Sequence, residues 1–182
     1  MPIPDFDHNQ VLPPHLGDPT LPDHLSPYCC SILELCERFS TSRERIEILK
    51  GLISFRKKMN EFGIIHGYQW LDGSFIENIE VTENRPPRDI DVVTLYSGLS
   101  LPQTEIIRVF PEFISSEQAK KNFKVDHYPF DISYNPNVTV QFTRYWIQLF
   151  THNRKNVWKG IIQMEINTPV EDENAMDFLN SV

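Results

Sequence analysis

Two stretches, Trp70–Asn78 (WLDGSFIEN) and Pro87–Tyr96 (PRDIDVVTLY), decide how this sequence folds. Ile64 to Leu71 is rich in β-branched and aromatic residues, the composition of a strand, and it runs straight into Asp72-Gly73-Ser74. A glycine at a strand's end lets the backbone take a turn closed to other residues, and Phe75 to Ile79 then predicts a short helix. Val81 to Arg88 carries Pro86 and Pro87 and reads as a loop. Asp89 to Tyr96 is a second strand whose Val-Val-Thr-Leu run reads as buried.

Upstream, Thr41 with Glu44 three residues on has the form of a capping box. Behind it Ile46, Leu49, Leu52, Ile53, Phe55, Met59 and Phe62 recur at helical spacing, and Gly63 stands where a helix-ending glycine belongs. Ile32, Leu33, Leu35 and Cys36 predict a shorter helix between Tyr28 and Phe39. Residues 1–27 hold seven prolines and little periodicity, which predicts an arm that runs extended over the domain or stays loose. Downstream, Pro102 to Asn122 reads as helical with a break at Pro111, and Phe123 to Ser133 as a third strand interrupted at Pro129. Val138 to Thr151 is compatible with a helix, Gly160 to Ile166 with a last strand, and the acidic tail with a frayed end or a short helix. The order predicts an α+β fold: a small mixed sheet flanked by helices, with residues 1–27 as an arm and 28–182 as the domain.

With 17 Lys and Arg against 25 Asp and Glu, the net charge of −8 repels phosphate backbones and excludes broad nucleic-acid binding. Local basic groups remain at Lys120, Lys121 and Lys124 and at Arg154, Lys155 and Lys159, either as solvated surface or as a grip for one triphosphate or a short RNA. No run approaches the roughly 20 apolar residues a membrane helix needs, and the N-terminus lacks the basic and apolar regions of a secretion signal. The three cysteines, Cys29, Cys30 and Cys36, are odd in number and crowded, a poor disulfide framework. They read as buried thiols on a helix, and a cytoplasmic location is expected.

The chemistry concentrates where the two strands end. Gly73 permits close backbone approach, while the Ser74 hydroxyl and exposed amides offer donors to phosphate oxygens. Asp89 and Asp91, two residues apart on a strand, project from one face and repel each other. Burying such a pair needs a cation, and hard carboxylate oxygens suit Mg²⁺. The plainer alternative is an exposed strand start with Arg85 or Arg88 as counter-ion.

Strand, Gly73-Ser74, short helix, loop, then Asp89-Ile90-Asp91 within an apolar strand: this order resembles the signature of the polymerase-β-like nucleotidyltransferase superfamily. The sequence more closely resembles a bacterial and mobile-element family of nucleotidyltransferase-like proteins, through Leu12-Pro13-Pro14, Trp70 to Phe75, Pro87 to Asp91 and Lys159-Gly160-Ile161. The gap between Ser74 and Asp89 is long for the superfamily, and the excess falls in the loop that carries Arg85 and Arg88. The resemblance implies transfer of a nucleotide from a nucleoside triphosphate such as ATP, with two Mg²⁺ ions on Asp89, Asp91 and a third carboxylate. Asp126 is favoured for that place and Asp131 stays open, because residues five apart on one strand face opposite sides unless Pro129 resets the register. Gly73, Ser74, Arg88 and Lys159 are then nucleotide contacts, with Lys124 and Arg154 as further candidates to neutralise pyrophosphate. The acceptor is a protein, a tRNA end or a small molecule, and similar small members suggest a toxin–antitoxin or phage-defence setting with an operon-encoded partner. The competing expectation is a catalytically inactive module of the same fold that grips a partner protein. His66 and His127 have no metal-ligand partner at diagnostic spacing, and Tyr145, Trp146 and Phe150 read as a helix face packed on the sheet.

Overall fold

A computed structural model describes residues 3–182. Its frame is a mixed five-stranded sheet in the order β1-β5-β2-β3-β4. The strands are β1 (Tyr28–Cys29), β2 (Gly67–Asp72), β3 (Ile90–Tyr96), β4 (Val125–Asp131) and β5 (Ile162–Glu165). Strand β2 is antiparallel to both β3 and β5, whereas β4 runs parallel to β3 and β1 parallel to β5. Helices α1 (Ile32–Phe39), α2 (Arg43–Glu61) and α3 (Ile79–Glu83) precede β3, and α4 (Gln103–Val109), α5 (Pro111–Ile114) and α6 (Ser116–Phe123) lie between β3 and β4. Helix α7 (Pro136–Phe150) joins β4 to β5, and α8 (Pro169–Ser181) closes the chain.

The long helix expected from the periodicity is α2, with one correction at its start. Its cap is Ser42, whose hydroxyl accepts from Arg45 N at 3.3 Å, so the helix begins one residue beyond the Thr41 box without changing its apolar phase. The reciprocal capping box belongs to α1, where Ser31 and Glu34 satisfy each other's backbone amides. At the other end Gly63 takes φ +73°, Gly63 N donates to Asn60 O and Ile64 N donates to Met59 O. This is the Schellman arrangement, and Met59 and Ile64 are both fully buried beside it.

Alternation divides the sheet into two unlike faces. Ile90, Val92 and Tyr96 of β3 join Leu49, Leu52, Phe55, Phe110 and Phe113 in the main core under α2 and the α4–α6 helices. Val93 and Leu95 face the other way, into a smaller cluster with Trp70, Trp146, Phe150 and Ile161 beneath α7. Pro129 does not interrupt β4, which pairs without a break from Val125 to Asp131. As the edge strand, β4 has one side without a ladder, so a residue lacking an N–H is tolerated there.

Of the two courses expected of the arm, it takes the one against the domain: Val11 and Leu12 are buried, Gly160 N donates to Leu12 O at 2.8 Å, and Tyr28 Oη donates to Pro13 O at 2.6 Å. Two other sequence expectations change. The acidic tail is a 13-residue helix, α8, anchored by Asp172, Ala175 and Leu179. Only Cys36 is a buried helical thiol; Cys29 lies on β1 and is exposed. Among the described residues no helix is long and apolar enough to cross a membrane.

Candidate functional site

Sheet register brings three carboxylates level on the α7 face. Asp91 is the pairing partner of Asp72 across β2–β3 and of Asp126 across β3–β4. Along these strands residues two apart share a face, so the next row is Trp70, Val93 and Tyr128, and the one after it Tyr68, Leu95 and Phe130. Helix α7 covers those two aromatic rows, with Trp146 5.0 Å from Tyr128 and Phe142 stacked at 4.9 Å on Phe130. The acidic row lies at the end of the sheet where β2 turns into Gly73 and Ser74.

Gly73 has φ +85° and ψ −173°, a region reserved for glycine. A methyl group there would sit 3.0 Å from Asp91 Cγ and closer still to its Oδ2. The turn therefore lies directly on the Asp91 carboxylate, and Ser74 opens the 3₁₀ turn Ser74–Ile76 beside it. Serine and acidic pair share one end of the sheet.

Each flank of the row has a cation and its centre has none. On one side the buried Lys159 ammonium lies 2.7 Å from Asp72 Oδ1 and 2.7 Å from Glu77 Oε1, and 3.4 Å from Gly73 O. Burial alone would favour its neutral form, but Asp72 and Glu77 outweigh that and raise its pKa. On the other side Lys120 lies 3.1 Å from Asp89 Oδ2 and 2.6 Å from Asp126 Oδ2. Burial pushes Asp126 upward, but hydrogen bonds from Lys120 and from the Ser116 hydroxyl win and hold it below the usual carboxylate range. Between them Asp91 has no ion pair among the described residues. Burial first, then the charges of Asp72, Asp126 and Asp89, pushes its pKa to about 7, against the weaker pull of Lys120.

The residues singled out in the sequence divide accordingly. Gly73, Ser74, Asp89, Asp91 and Asp126 come together. Asp131 does not: it pairs opposite Tyr96 at the far end of β4, and its Oδ1 accepts from Ser133 N and Oγ in the next turn. Arg88 is exposed, and Arg85 pairs with Glu83, so the counter-ion of Asp89 is Lys120 and neither loop arginine. Lys159 is buried and braces the Asp72–Glu77 turn from behind, and Lys124 reaches Glu47 at 3.4 Å. His127 is a core residue: its Nδ1 lies 2.9 Å from Phe113 O and its Nε2 2.7 Å from Thr94 Oγ1.

The sequence does not point to Asp72, Glu77 or Ser116 as site members, and it offers Lys120 only as one of a basic cluster. Asp72 was within reach, since the alternation Trp70, Leu71, Asp72 places it on the aromatic face; the other three depend on tertiary contacts. Carboxylate oxygens in one row suit a hard divalent cation. As the side chains stand, no three His, Cys, Asp or Glu among the described residues are gathered around one ion-sized point. Lys120 explains this on one flank, where it holds Asp89 and Asp126 to itself.

No curated protein and no solved structure matches the chain. A family model does match, over residues 4–165, which takes in the arm, the acidic row and all five strands. The chain thus belongs to the family described as a family of unknown function, DUF6932.

Proposed function

We propose that this protein is a Mg²⁺-dependent nucleotidyltransferase that moves a nucleoside monophosphate from a nucleoside triphosphate to an acceptor hydroxyl on a protein, a tRNA end or a small molecule. The observation that carries the reading is the pairing of Asp91 with Asp126 on adjacent strands, with Gly73 packed on the Asp91 carboxylate. In this reading the glycine turn lets a phosphate approach the backbone, and the Ser74 hydroxyl and nearby amides bind it. Asp89, Asp91 and Asp126 would supply oxygens to Mg²⁺ carried in with the nucleotide, and the ion would neutralise phosphate charge and stabilise the departing oxygen. Asp126, held in place by Ser116 and Lys120, orients the acceptor hydroxyl, whose proton passes to solvent as its oxygen attacks. A new bond forms from that oxygen to the α-phosphorus, the bond to the bridging oxygen breaks, and pyrophosphate leaves.

The net charge of −8 argues for an acceptor recognised locally rather than along a nucleic-acid backbone, and a partner protein encoded beside this chain is the first to try. The competing reading, an inactive module that binds a partner, draws on Lys120 and Lys159 already pairing with carboxylates on both flanks of the row. Incubation with each labelled nucleoside triphosphate, Mg²⁺ and a cell lysate separates the two. Labelling that requires both Asp89 and Asp91 is expected. Labelling equal in the Asp89→Ala/Asp91→Ala variant, or none at all, would count against catalysis.

A further inference from the structure

Lys120 is placed too deliberately for a surface lysine. It lies in the last turn of α6, and Lys124 N donates to its carbonyl just before the chain enters β4. Ala119 beside it is fully buried, which fixes the helix against the sheet and fixes where the side chain starts. From there the ammonium reaches across to Asp126 at 2.6 Å and Asp89 at 3.1 Å, though the side chain keeps 45% of its exposure. A divalent ion bridging the same two carboxylates would need oxygens at about 2.0–2.1 Å, in the gap that Nζ now spans.

We infer that Lys120 is a built-in replacement for one of two metal ions: its ammonium bridges Asp89 and Asp126, leaving the row to bind a single divalent cation at Asp91. The inference rests on the nucleotidyltransferase reading and corrects its ion count from two to one. An ammonium on a four-carbon stem also differs from an ion in kind: it cannot dissociate, and it presents three donors rather than a Lewis acid. The flank it occupies is the one where Ser116 donates to Asp126, so Lys120 and Ser116 together hold that carboxylate in place.

The test is the stoichiometry of Mn²⁺ binding to the full chain, read from the electron paramagnetic resonance signal of free Mn²⁺ in the presence of a non-hydrolysable nucleoside triphosphate analogue. The chain is kept in excess over the analogue, so that every ion in the complex, including one carried in with the nucleotide, is counted. Wild type is expected to bind one ion per complex and Asp91→Asn none. Lys120→Met, which keeps the stem and removes the charge, is expected to bind two, and Lys120→Gln serves if the methionine variant melts early. Two ions in wild type, or one ion in both Lys120 variants, would overturn the inference while leaving the proposed function standing. No protein-bound ion in any variant would remove both.

Discussion

The two faces of the sheet handle buried charge in opposite ways. On the main-core face Arg56 is fully buried, yet every arm of its guanidinium is engaged: Nε donates to Asp172 at 2.9 Å, Nη1 to Gln69 Oε1 at 2.9 Å, and Nη2 to Glu165 O and Thr168 Oγ1. Gln69 continues to Thr94, and Thr94 to His127, so one hydrogen-bonded chain ties α8, α2, β2, β3 and β4 together. On the α7 face the carboxylates of Asp72, Asp91 and Asp126 stand in one row, and the central one has no cation. A satisfied network holds a fold, whereas like charges brought together without a partner cost stability and persist where a ligand is to be bound.

That contrast sets the order of expected effects. Arg56→Ala leaves Asp172 buried and unpaired, and should lower stability by about 3–5 kcal/mol in denaturant titration. Asp91→Asn should do the reverse: under the proposed function nucleotide transfer falls by at least the roughly 10–100-fold that losing an outer partner of a metal ligand costs, while the melting temperature holds or rises because a repelled carboxyl is gone. A melting loss as large as that of Arg56→Ala would erase the distinction between the faces.

Gly73→Ala forces a side chain into a glycine-only conformation and against Asp91, at a cost of about 1–3 kcal/mol and with transfer reduced. The effect of pH sharpens the comparison from the core side. Burial lowers the pKa of His127 to about 3, against an ordinary value of 6.5, so between those values only the unfolded chain takes the proton. Stability from this group is complete above pH 6.5 and is lost as pH falls towards 3, by roughly 2 kcal/mol from pH 7 to pH 5. Thermal melts across that range should show the slope, and His127→Gln should flatten it. Smallest of all, Arg88→Ala on the exposed loop should change stability by no more than about 0.5 kcal/mol.

What could be read from sequence was local. The strand leading to Asp72-Gly73-Ser74, the Asp89–Tyr96 strand and the long helix all announce themselves by alternation, period and a terminal glycine. The helix start slipped by one because Thr41 and Ser42 are adjacent capping residues and only the folded backbone selects between them. The break expected at Pro129 is absent because β4 is an edge strand, and sequence does not say which strand is at an edge. The tail is longer and firmer than its sequence suggests because its hold comes from Asp172 meeting Arg56, 116 positions away. Within the site, Gly73, Ser74, Asp89, Asp91 and Asp126 were all legible from spacing and resemblance. Lys120 was not, because nothing in a cluster of three basic residues says which will turn toward a carboxylate pair.

The most direct test is anomalous diffraction from crystals grown with Mn²⁺ and a non-hydrolysable nucleoside triphosphate analogue. A manganese peak touching Asp91, with the phosphates of the analogue against Gly73 and Ser74, is the expected result. Nucleotide bound elsewhere, or a peak away from Asp91, would contradict the assignment of this row as the reactive centre.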